Sequence, residues 1–513
     1  MVQEQRTYAF VSRSQVDVLE QDTLAVLCLV RSFKNSFAPI NKIPRAILSL
    51  IPNYLGCHET ENDDDLITLT HVCCGWRELF VSKSSLWTRL DLTNVDKTLA
   101  YIKRSRSSPL DVVLHGFKRE PRLEDTFPPA VPHIKRFKSL TLVFVGASDL
   151  QNLTKQFTLP APLLKSLIIT LACDSAPTLD TMLFNGDLPS LCTLSLEGVI
   201  TRLPWKNLWN LTTFRFHRVP GSGITVTQLL NFLEGAPRLR DVILHHSIPT
   251  SSNASSERVV PLPHLKNLSL VGTTHSVLLN HLSIPEGALL VLEFNFSGDK
   301  SPFPDNLPKA AKNLRNLFRI TTVNLCFNGA GKLVQLDGPS GRLRIFGNGI
   351  LSLDLDRRIF HSLNYFSLHI TRRLAITEYK PPTLTEIEKS PPYRVLLRMK
   401  DLRTLTLIQC NNIPFILALN PDHNPSKLVP CPDLEELVLY IETQNAFNIP
   451  ELVNMAKERA SKGARLRLIT VVGLGELAPG KEVFKLREHV AHVEYRFEEK
   501  PPNWDNIPEG ESG

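Results

Sequence analysis

PRLRDVIL at residues 237–244 and PHLKNLSL at residues 263–270 share one spacing of proline and leucine. The same frame, P-x-L-x-x-L-x-L, recurs as PLLKSLII at 162, PSLCTLSL at 189 and PDLEELVL at 432, and KDLRTLTL at 400 lacks only the proline. In each copy the later apolar residues alternate with other residues, which is the period of a β-strand with one buried face. The frame therefore predicts a series of short, similar strands.

Looser copies of this frame end in FKSLTL, LTTFRF, LLVLEF, ITTVNL, ILSLDL and LNYFSL. The first apolar positions at 137, 164, 191, 211, 239, 265 and 289 lie 27, 27, 20, 28, 26 and 24 residues apart. These steps match leucine-rich repeats, whose stacked copies share one core. We predict an α/β fold in which residues 93–500 form a leucine-rich-repeat-like solenoid with a curved, mostly parallel sheet. An ordinary α/β domain is the alternative, because copies between 295 and 400 are irregular and the consensus asparagine after the strand is mostly missing.

The composition indicates a globular, intracellular protein. Apolar residues make up 42% of the 513 positions and charged residues 21%. The net charge of +7 comes from 58 basic and 51 acidic residues without a block of like charge, so no nucleic-acid partner is expected. Nine cysteines without a C-x-x-C pair predict reduced thiols and a cytoplasmic or nuclear location. The apolar run LAVLCLV at 24–30 is too short to span a bilayer and lacks a basic leader, so neither membrane insertion nor secretion is expected.

Two segments before the repeats have helical spacing. In INKIPRAILSLI at 40–51, Pro44 suits the first turn of a helix, and Pro52 is expected to end that helix. In LITLTHVCCGWRELFVSKSSLW at 66–87, apolar residues from Leu66 to Phe80 recur at threes and fours, which predicts one amphipathic helix before SSLW closes the segment. WTRLDL at 87–92 then alternates like a strand. The acidic GCHETENDDDL between the two segments is predicted to be a solvated loop.

Together with YIKRSRSSPLDVVL at 101–114, these segments resemble F-box proteins with leucine-rich repeats, of the type abundant in mushroom-forming fungi. The resemblance is closest over residues 38–114, and residues 468–505 are similar to the last repeat of that group. It implies that residues 39–92 are an F-box-like helical module, which docks on the Skp-type linker subunit of a cullin-based ubiquitin ligase. The repeats would then bind a target protein. Residues 1–38 are expected to be weakly structured or helical, and residues 501–513 to be a tail.

The resemblance also implies which residues contact the Skp-type subunit. They are Ile43, Pro44, Ile47, Leu48, Val72, Cys73, Trp76, Leu86 and Trp87. Ile43 and Pro44 stand where the family has Leu-Pro. For Trp76, a place in the core of the module itself is favoured over direct contact, because a tryptophan in mid-helix usually buries most of its surface. Ile47 and Leu48 fit either role equally well.

The target-binding surface is predicted from the strand period. Residues between the inward leucines face the opposite, concave side of the sheet. On that basis the candidates are Thr193, Ser195, Asp241, Ile243, Asn267, Ser269, Thr404, Thr406, Glu436 and Val438.

Enzyme motifs are incomplete. FNGAGKL at 327–333 resembles the end of a phosphate-binding loop, but Cys326 stands where the first glycine is required and Leu333 follows Lys332 in place of serine or threonine. Cys57, His58, His71, Cys73 and Cys74 crowd one region without a chelating spacing. We therefore expect no catalysis, no metal and no cofactor. The predicted function is a substrate-recognition adaptor of an SCF-type ubiquitin ligase, and the alternative is a repeat-based interaction scaffold without ligase association.

Overall fold

The protein is described here from a computed structural model. The described residues are 12–54, 64–92, 94–115, 127–144, 146–172, 178–179, 182–201, 208–218, 225–246, 258–271, 278–297, 316, 319–327, 331–348, 363, 368, 370–377, 391–424, 428–441, 448–474 and 481–498. The architecture is mixed α/β with a large, mostly parallel sheet, as predicted. Two compact units divide the chain: residues 1–144 with 148–166, and residues 145–147 with 167–513. The predicted module at 39–92 lies within the first unit, and the predicted tail lies outside the described residues.

The first unit is mainly helical. Its helices are α1 Arg13–Ser36, α2 Arg45–Leu48, α3 Ile51–Tyr54, α4 Asp64–His71, α5 Cys74–Ser82, α6 Val95–Ser105 and α7 Ala147–Thr154. A single 3-10 turn, Ser84–Trp87, follows α5, and a longer 3-10 segment spans Pro128–Arg136. Its strands are β1 Arg89–Asp91, β2 Leu110–His115 and β3 Phe137–Phe144, and β2 pairs in parallel with both of the others. The predicted strand after Trp87 is therefore present as β1.

Two of the predicted helices are broken into shorter ones. Residues 66–80 were expected to form one helix, but α4 ends at His71 and α5 begins at Cys74. Cys73 between them is fully extended, with φ −161° and ψ 171°, and it stands at the N-terminal cap of α5. Pro52 was expected to end a helix, but it lies in the first turn of α3, where a residue without an N–H costs no hydrogen bond. Apolar periodicity does not register such breaks because both helices keep their apolar faces toward one core.

The second unit contains most of the strands. They are β4 Ser166–Leu171, β5 Thr178–Leu179, β6 Thr193–Glu197, β7 Ile200–Thr201, β8 Thr213–His217, β9 Asp241–His245, β10 Val260–Pro261, β11 Asn267–Val271, β12 Leu282–Ser283, β13 Leu289–Ser297, β14 Thr322–Cys326, β15 Gly331–Gly338, β16 Gly341–Asn348, β17 Arg373–Thr377, β18 Thr404–Ile408, β19 Glu436–Ile441, β20 Leu468–Leu474 and β21 His492–Glu498. Helices α8 Val226–Gly235, α9 Pro391–Leu396, α10 Ile413–Leu419 and α11 Ile449–Ser461 connect some of them.

Each strand of the main sheet usually lies beside the next one along the chain. Strands β6, β8, β9, β11 and β13 pair in parallel in that order, and so do β17, β18, β19, β20 and β21. Between these two sets the order changes: β13 pairs with β16, β15 runs antiparallel between β16 and β14, and β14 pairs in parallel with β17. The irregular copies in the sequence after residue 295 thus coincide with a local antiparallel arrangement. Lys332, in the rejected phosphate-loop motif, lies in strand β15 and not at the start of a helix.

Buried apolar side chains fill one face of each set. In register across β6, β8, β9 and β11 they form two rows, which are Leu194, Phe214, Val242 and Leu268, and then Leu196, Phe216, Leu244 and Leu270. Every one of these side chains is at most 5% exposed. Helix α8 adds Leu230, Phe232 and Leu233 to this core, and a capping box between Thr225 and Gln228 begins the helix. The core is therefore shared between neighbouring strands and the helix that connects them.

A buried arginine stabilises the other end of the unit. Arg459 of α11 is fully buried, and its guanidinium donates hydrogen bonds to the carbonyl oxygens of Pro430 at 2.6 Å and Cys431 at 2.8 Å. A third, longer bond of 3.4 Å reaches the carbonyl of Leu419 at the end of α10. Burial lowers the Arg459 pKa to about 10, so the group stays charged at neutral pH. A cation near a helix C-terminus is also stabilised by the partial negative charge of the helix dipole there.

The residue after several strands adopts the left-handed backbone conformation. The residues are Gly198 (φ 65°), Arg218 (φ 49°), His246 (φ 49°) and Gln409 (φ 53°). The backbone N–H of each donates a hydrogen bond of 2.7–3.1 Å to a carbonyl of the neighbouring strand. At Gly198 an added Cβ would overlap the carbonyl oxygen of Leu171, in addition to the strain of a positive φ. The turn is thus a repeated feature whose most crowded copy carries glycine.

Gly198→Ala should therefore destabilise the second unit by roughly 2 to 4 kcal/mol, because the new methyl group meets both left-handed strain and backbone overlap. Gly287→Ala is the matched control, since a Cβ at Gly287 has no atom within 4 Å and its φ is not positive. Urea unfolding followed by circular dichroism gives both values. Equal midpoints for the two variants would contradict the crowding of the turn.

No helix within the described residues is both long enough and apolar enough to cross a membrane.

Candidate functional site

Two surfaces have the composition of binding sites: an apolar surface on the helices of the first unit, and a polar face of the sheet in the second.

The two tryptophans of the first unit form its internal core. Trp87 is 0% exposed, and its Nε1 donates a hydrogen bond of 2.9 Å to the carbonyl oxygen of Phe80. Tyr101 packs edge-on against the Trp87 ring at 4.9 Å, and the Arg104 guanidinium lies 4.3 Å from the ring centroid. Trp87 thus joins α5, the 3-10 turn and α6.

Trp76 is held in the same way. It is 7% exposed, its ring packs against Phe80 at 5.6 Å, and its Nε1 donates to Asn41 Oδ1 at 2.7 Å. Of the nine residues predicted to contact a Skp-type subunit, four are buried: Leu48, Trp76, Leu86 and Trp87. Their side chains support the module from within.

The remaining predicted residues lie at the surface. Ile47 is 56% exposed and Val72 is 49% exposed, Pro44 is exposed, and Ile43 and Cys73 are half-buried. Leu50 was not among the predicted contact residues, but it lies close to Ile47 in the chain and is 45% exposed. The helical period could have indicated Leu50, because it lies three residues after Ile47. We name Ile47, Leu50 and Val72 the apolar surface of the module.

Polar contacts hold the elements that carry this surface together. Arg45 of α2 forms an ion pair with Glu78 of α5 at 2.7 Å, although both side chains are largely exposed and such pairs contribute little stability. Lys83, which follows α5, donates to the carbonyl oxygen of Ser49 at 3.0 Å. The α2 and α5 elements are therefore neighbours in the fold. Ile47 lies on α2, Leu50 follows α2, and Val72 lies between α4 and α5. A group of large apolar side chains left exposed in this way is typical of a protein-binding surface.

The polar face of the sheet is the side opposite the buried leucine rows. All ten predicted target-binding residues lie on it and are partly or fully exposed. Strand register brings them together in two groups, which are Thr193, Asp241 and Asn267 with Ser195, Ile243 and Ser269 on β6–β11, and Thr404 and Glu436 with Thr406 and Val438 on β18–β19. Strands β13–β17 separate the two groups within the sheet.

Direct hydrogen bonds connect neighbours on this face. Asn267 Nδ2 donates to Asp241 Oδ1 at 2.5 Å, and Thr404 Oγ1 donates to Glu436 Oε2 at 3.4 Å. Arg467 also pairs with Glu436. The face is therefore an array of hydrogen-bonding groups and charges of both signs, which suits a polar protein surface better than an apolar ligand.

Sequence reasoning missed a cluster at the carboxyl ends of β6, β8 and β9. Glu197, His217 and His245 are aligned across these strands, and Arg215 lies one row before them. Glu197 Oε1 accepts hydrogen bonds from Arg218 at 2.6 Å and pairs with His217 Nδ1 at 3.1 Å. The strand period could have found these residues. Continued by two positions beyond Ser195 and Ile243, it reaches Glu197 and His245, and applied to the looser copy LTTFRF it reaches Arg215 and His217.

His245 is the most perturbed member of the cluster. Its Nε2 lies 3.0 Å from Ser269 Oγ, and its ring centroid is 5.5 Å from that of His217. Burial lowers the His245 pKa below its ordinary value of 6.5, and electrostatic repulsion from the neighbouring His217 and His246 lowers it further. The arrangement favours a neutral His245 imidazole that forms a hydrogen bond with the Ser269 hydroxyl group. Within the described part of the chain, no three His, Cys, Asp or Glu residues are placed to hold a metal ion.

No protein-family model matches the chain, and no curated protein sequence matches it. The fold and the two surfaces are therefore the basis for inferring function.

Ile47→Asp should leave stability within about 0.5 kcal/mol of the wild type, because the side chain is already mostly in water. Leu48→Asp should cost several kcal/mol, because it buries a carboxyl group in the module core. Urea unfolding monitored by tryptophan fluorescence measures both changes. Similar losses in the two variants would show that Ile47 is part of the core.

The His245 pKa makes stability depend on pH. The unfolded chain takes up a proton at His245 as the pH falls through 6.5, whereas the folded chain does so only at lower pH, so folding becomes less favourable in acid. His245→Gln, which keeps a group able to bond Ser269, should reduce the loss of stability between pH 7.5 and about pH 5.5. The exposed His264→Gln is the control. An unchanged pH dependence in His245→Gln would refute the assignment.

Proposed function

We propose that the chain is a substrate-recognition adaptor of a cullin-based ubiquitin ligase. Residues 39–92 act as an F-box-like module that docks on a Skp-type linker subunit, and the sheet of the second unit binds the protein to be ubiquitinated. The observation that carries the proposal is the apolar surface of Ile47, Leu50 and Val72, which the module exposes while both of its tryptophans are internal.

The separation of the module residues into a buried group and an exposed group supports this assignment. A small helical module has room for one core, and here Trp76, Phe80 and Trp87 occupy it. Ile47 and Val72, two residues that the family resemblance assigns to the partner, are instead left in water. Truncating such exposed anchors usually affects binding much more than folding, and a few of them dominate the binding energy of an interface.

The repeat character of the sheet supports the second half of the proposal. Strands β6, β8, β9 and β11 begin at residues 193, 213, 241 and 267 and share register, and a left-handed residue follows each of β6, β8 and β9. Cys410 stands at the position after β18 where leucine-rich repeats have asparagine or cysteine, and its Sγ donates to the Ile376 carbonyl oxygen of β17 at 3.2 Å. We infer a leucine-rich-repeat-like solenoid, whose extended open face is a surface that repeat proteins use for binding.

The mechanism is proximity. An adaptor that holds a target near the ubiquitin-carrying enzyme raises its effective concentration there, and it needs no catalytic group of its own. On the open face, Arg215, Glu197 and Asp241 supply charge, while Asn267 and the serine and threonine hydroxyls supply hydrogen bonds. This chemistry fits a polar, mixed-charge protein target.

Binding of purified Skp-type subunit to the immobilised full chain tests the proposal. The wild type should bind, and Ile47→Asp should weaken binding at least tenfold, or about 1.4 kcal/mol, because a carboxylate would be desolvated in an apolar interface. Leu99→Asp is the matched control: Leu99 is 49% exposed in the same unit, but it lies on α6 and outside the apolar surface.

An absence of binding by the folded wild type would overturn ligase docking and favour the scaffold that binds other proteins through its repeats. Equal weakening by Ile47→Asp and Leu99→Asp would retain binding but place the interface elsewhere.

A further inference from the structure

Helix α1 has an apolar face that the described part of the chain leaves uncovered. It spans 24 residues, about 36 Å at 1.5 Å per residue, and none of its residues is buried. Leu19, Leu29 and Phe33 are 66%, 70% and 69% exposed. A capping box between Ser12 and Gln15 begins the helix, so its start is well defined. A long helix with this much exposed apolar surface is typically stabilised by a partner.

One set of residues along α1 follows a heptad repeat and is apolar except for Thr23, whereas Val18 and Leu24 lie outside it. Taking Val16 as the first core position, the core positions are Val16, Leu19, Thr23, Val26, Val30, Phe33 and Phe37, the last of which follows the helix directly. Leu27 and Leu29 flank this seam. Alternate spacings of three and four residues over three heptads are the pattern of a two-stranded coiled coil. The seam is therefore suited to another helix of the same kind.

The charged residues of α1 indicate which helix pairs with it and in which direction that helix runs. The first half of α1 carries Asp17, Glu20 and Asp22 against one basic residue, Arg13 at its start, and the second half carries Arg31 and Lys34 with no acidic residue. Two copies that run in opposite directions place each acidic half beside a basic half. In the alignment that puts Leu27 opposite Leu27 of the second copy, Glu20 and Lys34 of the second copy occupy facing flank positions.

A parallel arrangement lacks this complementarity. It would bring Glu20 near Gln15 and Lys34 near Leu29 of the second copy, and no pair of opposite charges would form across the seam. A membrane surface is also less suitable than a second copy, since α1 balances its basic residues with acidic ones, whereas interfacial helices are rich in lysine and arginine.

We propose that α1 is a dimerisation helix, which pairs with α1 of a second copy of this chain in an antiparallel two-stranded coiled coil. The seam formed by Val26 and Val30 lies at its centre, and two Glu20–Lys34 ion pairs, related by the twofold axis, set its direction. This inference does not depend on the proposed ligase function.

Sedimentation velocity of the full chain over a range of concentrations tests the proposal. The wild type should reach twice the chain mass of 57.7 kDa. A double variant in the seam, Val26→Asp with Val30→Asp, should raise the dissociation constant at least a hundredfold. Ala25→Asp with Ser32→Asp is the control, because it adds the same charge to the same helix on the side away from the seam. Both pairs of sites are exposed, so neither variant should unfold the protein.

Charge exchange tests the direction. Glu20→Lys alone and Lys34→Glu alone should each weaken the dimer severalfold at low salt, because each places like charges in contact, and the combined variant should recover wild-type affinity. A monomeric wild type would overturn the proposal. Single exchanges without effect on the dimer would also overturn it and would indicate a parallel pair. Cosedimentation with phosphatidylserine–phosphatidylcholine vesicles gives a third such outcome: binding of a monomeric wild type to the vesicles, lost in the seam variant.

Discussion

The second unit depends on one constraint: a five-residue strand can neither pair its backbone nor bury its leucines by itself. Leu194, Phe214, Val242 and Leu268 occupy the same level on successive strands, so each lies beside the buried apolar side chain of its neighbour. A shift of one residue in any strand would move its apolar side chains to the polar face and its polar side chains into the core. The register that stabilises the core therefore also determines which residues face a partner.

The turn after β6, β8 and β9 follows from the same constraint. A strand must leave the sheet within one residue while its last N–H still donates to its neighbour, and the left-handed conformation at Gly198, Arg218 and His246 achieves both. Arginine and histidine are strained in this conformation, which costs of order 1 kcal/mol at each position. Their side chains lie beside Glu197 and His217 in the polar cluster, so a strained backbone and the densest group of ionisable residues on the open face occur together.

The first unit uses its apolar residues in a different way. Trp76 and Trp87 are satisfied internally, each with its indole N–H bonded, whereas Ile47, Leu50 and Val72 stay in water. Helix α1 extends this contrast, since it exposes a whole heptad seam. Intramolecular packing accounts for the tryptophans. The exposed residues are better explained by intermolecular contacts, one proposed with a Skp-type subunit and the other with a second copy of the chain.

The sequence by itself determined the local properties of this protein: where short strands occur, their period of two, and hence that Thr193, Asp241 and Asn267 share the polar face. It could do so because the leucine frame reports burial residue by residue. The tertiary structure alone decided the break at Cys73, the antiparallel strand β15, the internal position of Trp87 and the cluster of Glu197, His217 and His245. These depend on contacts between residues far apart in the chain, and the periodicity of a single segment contains no information about which neighbour its side chains will meet.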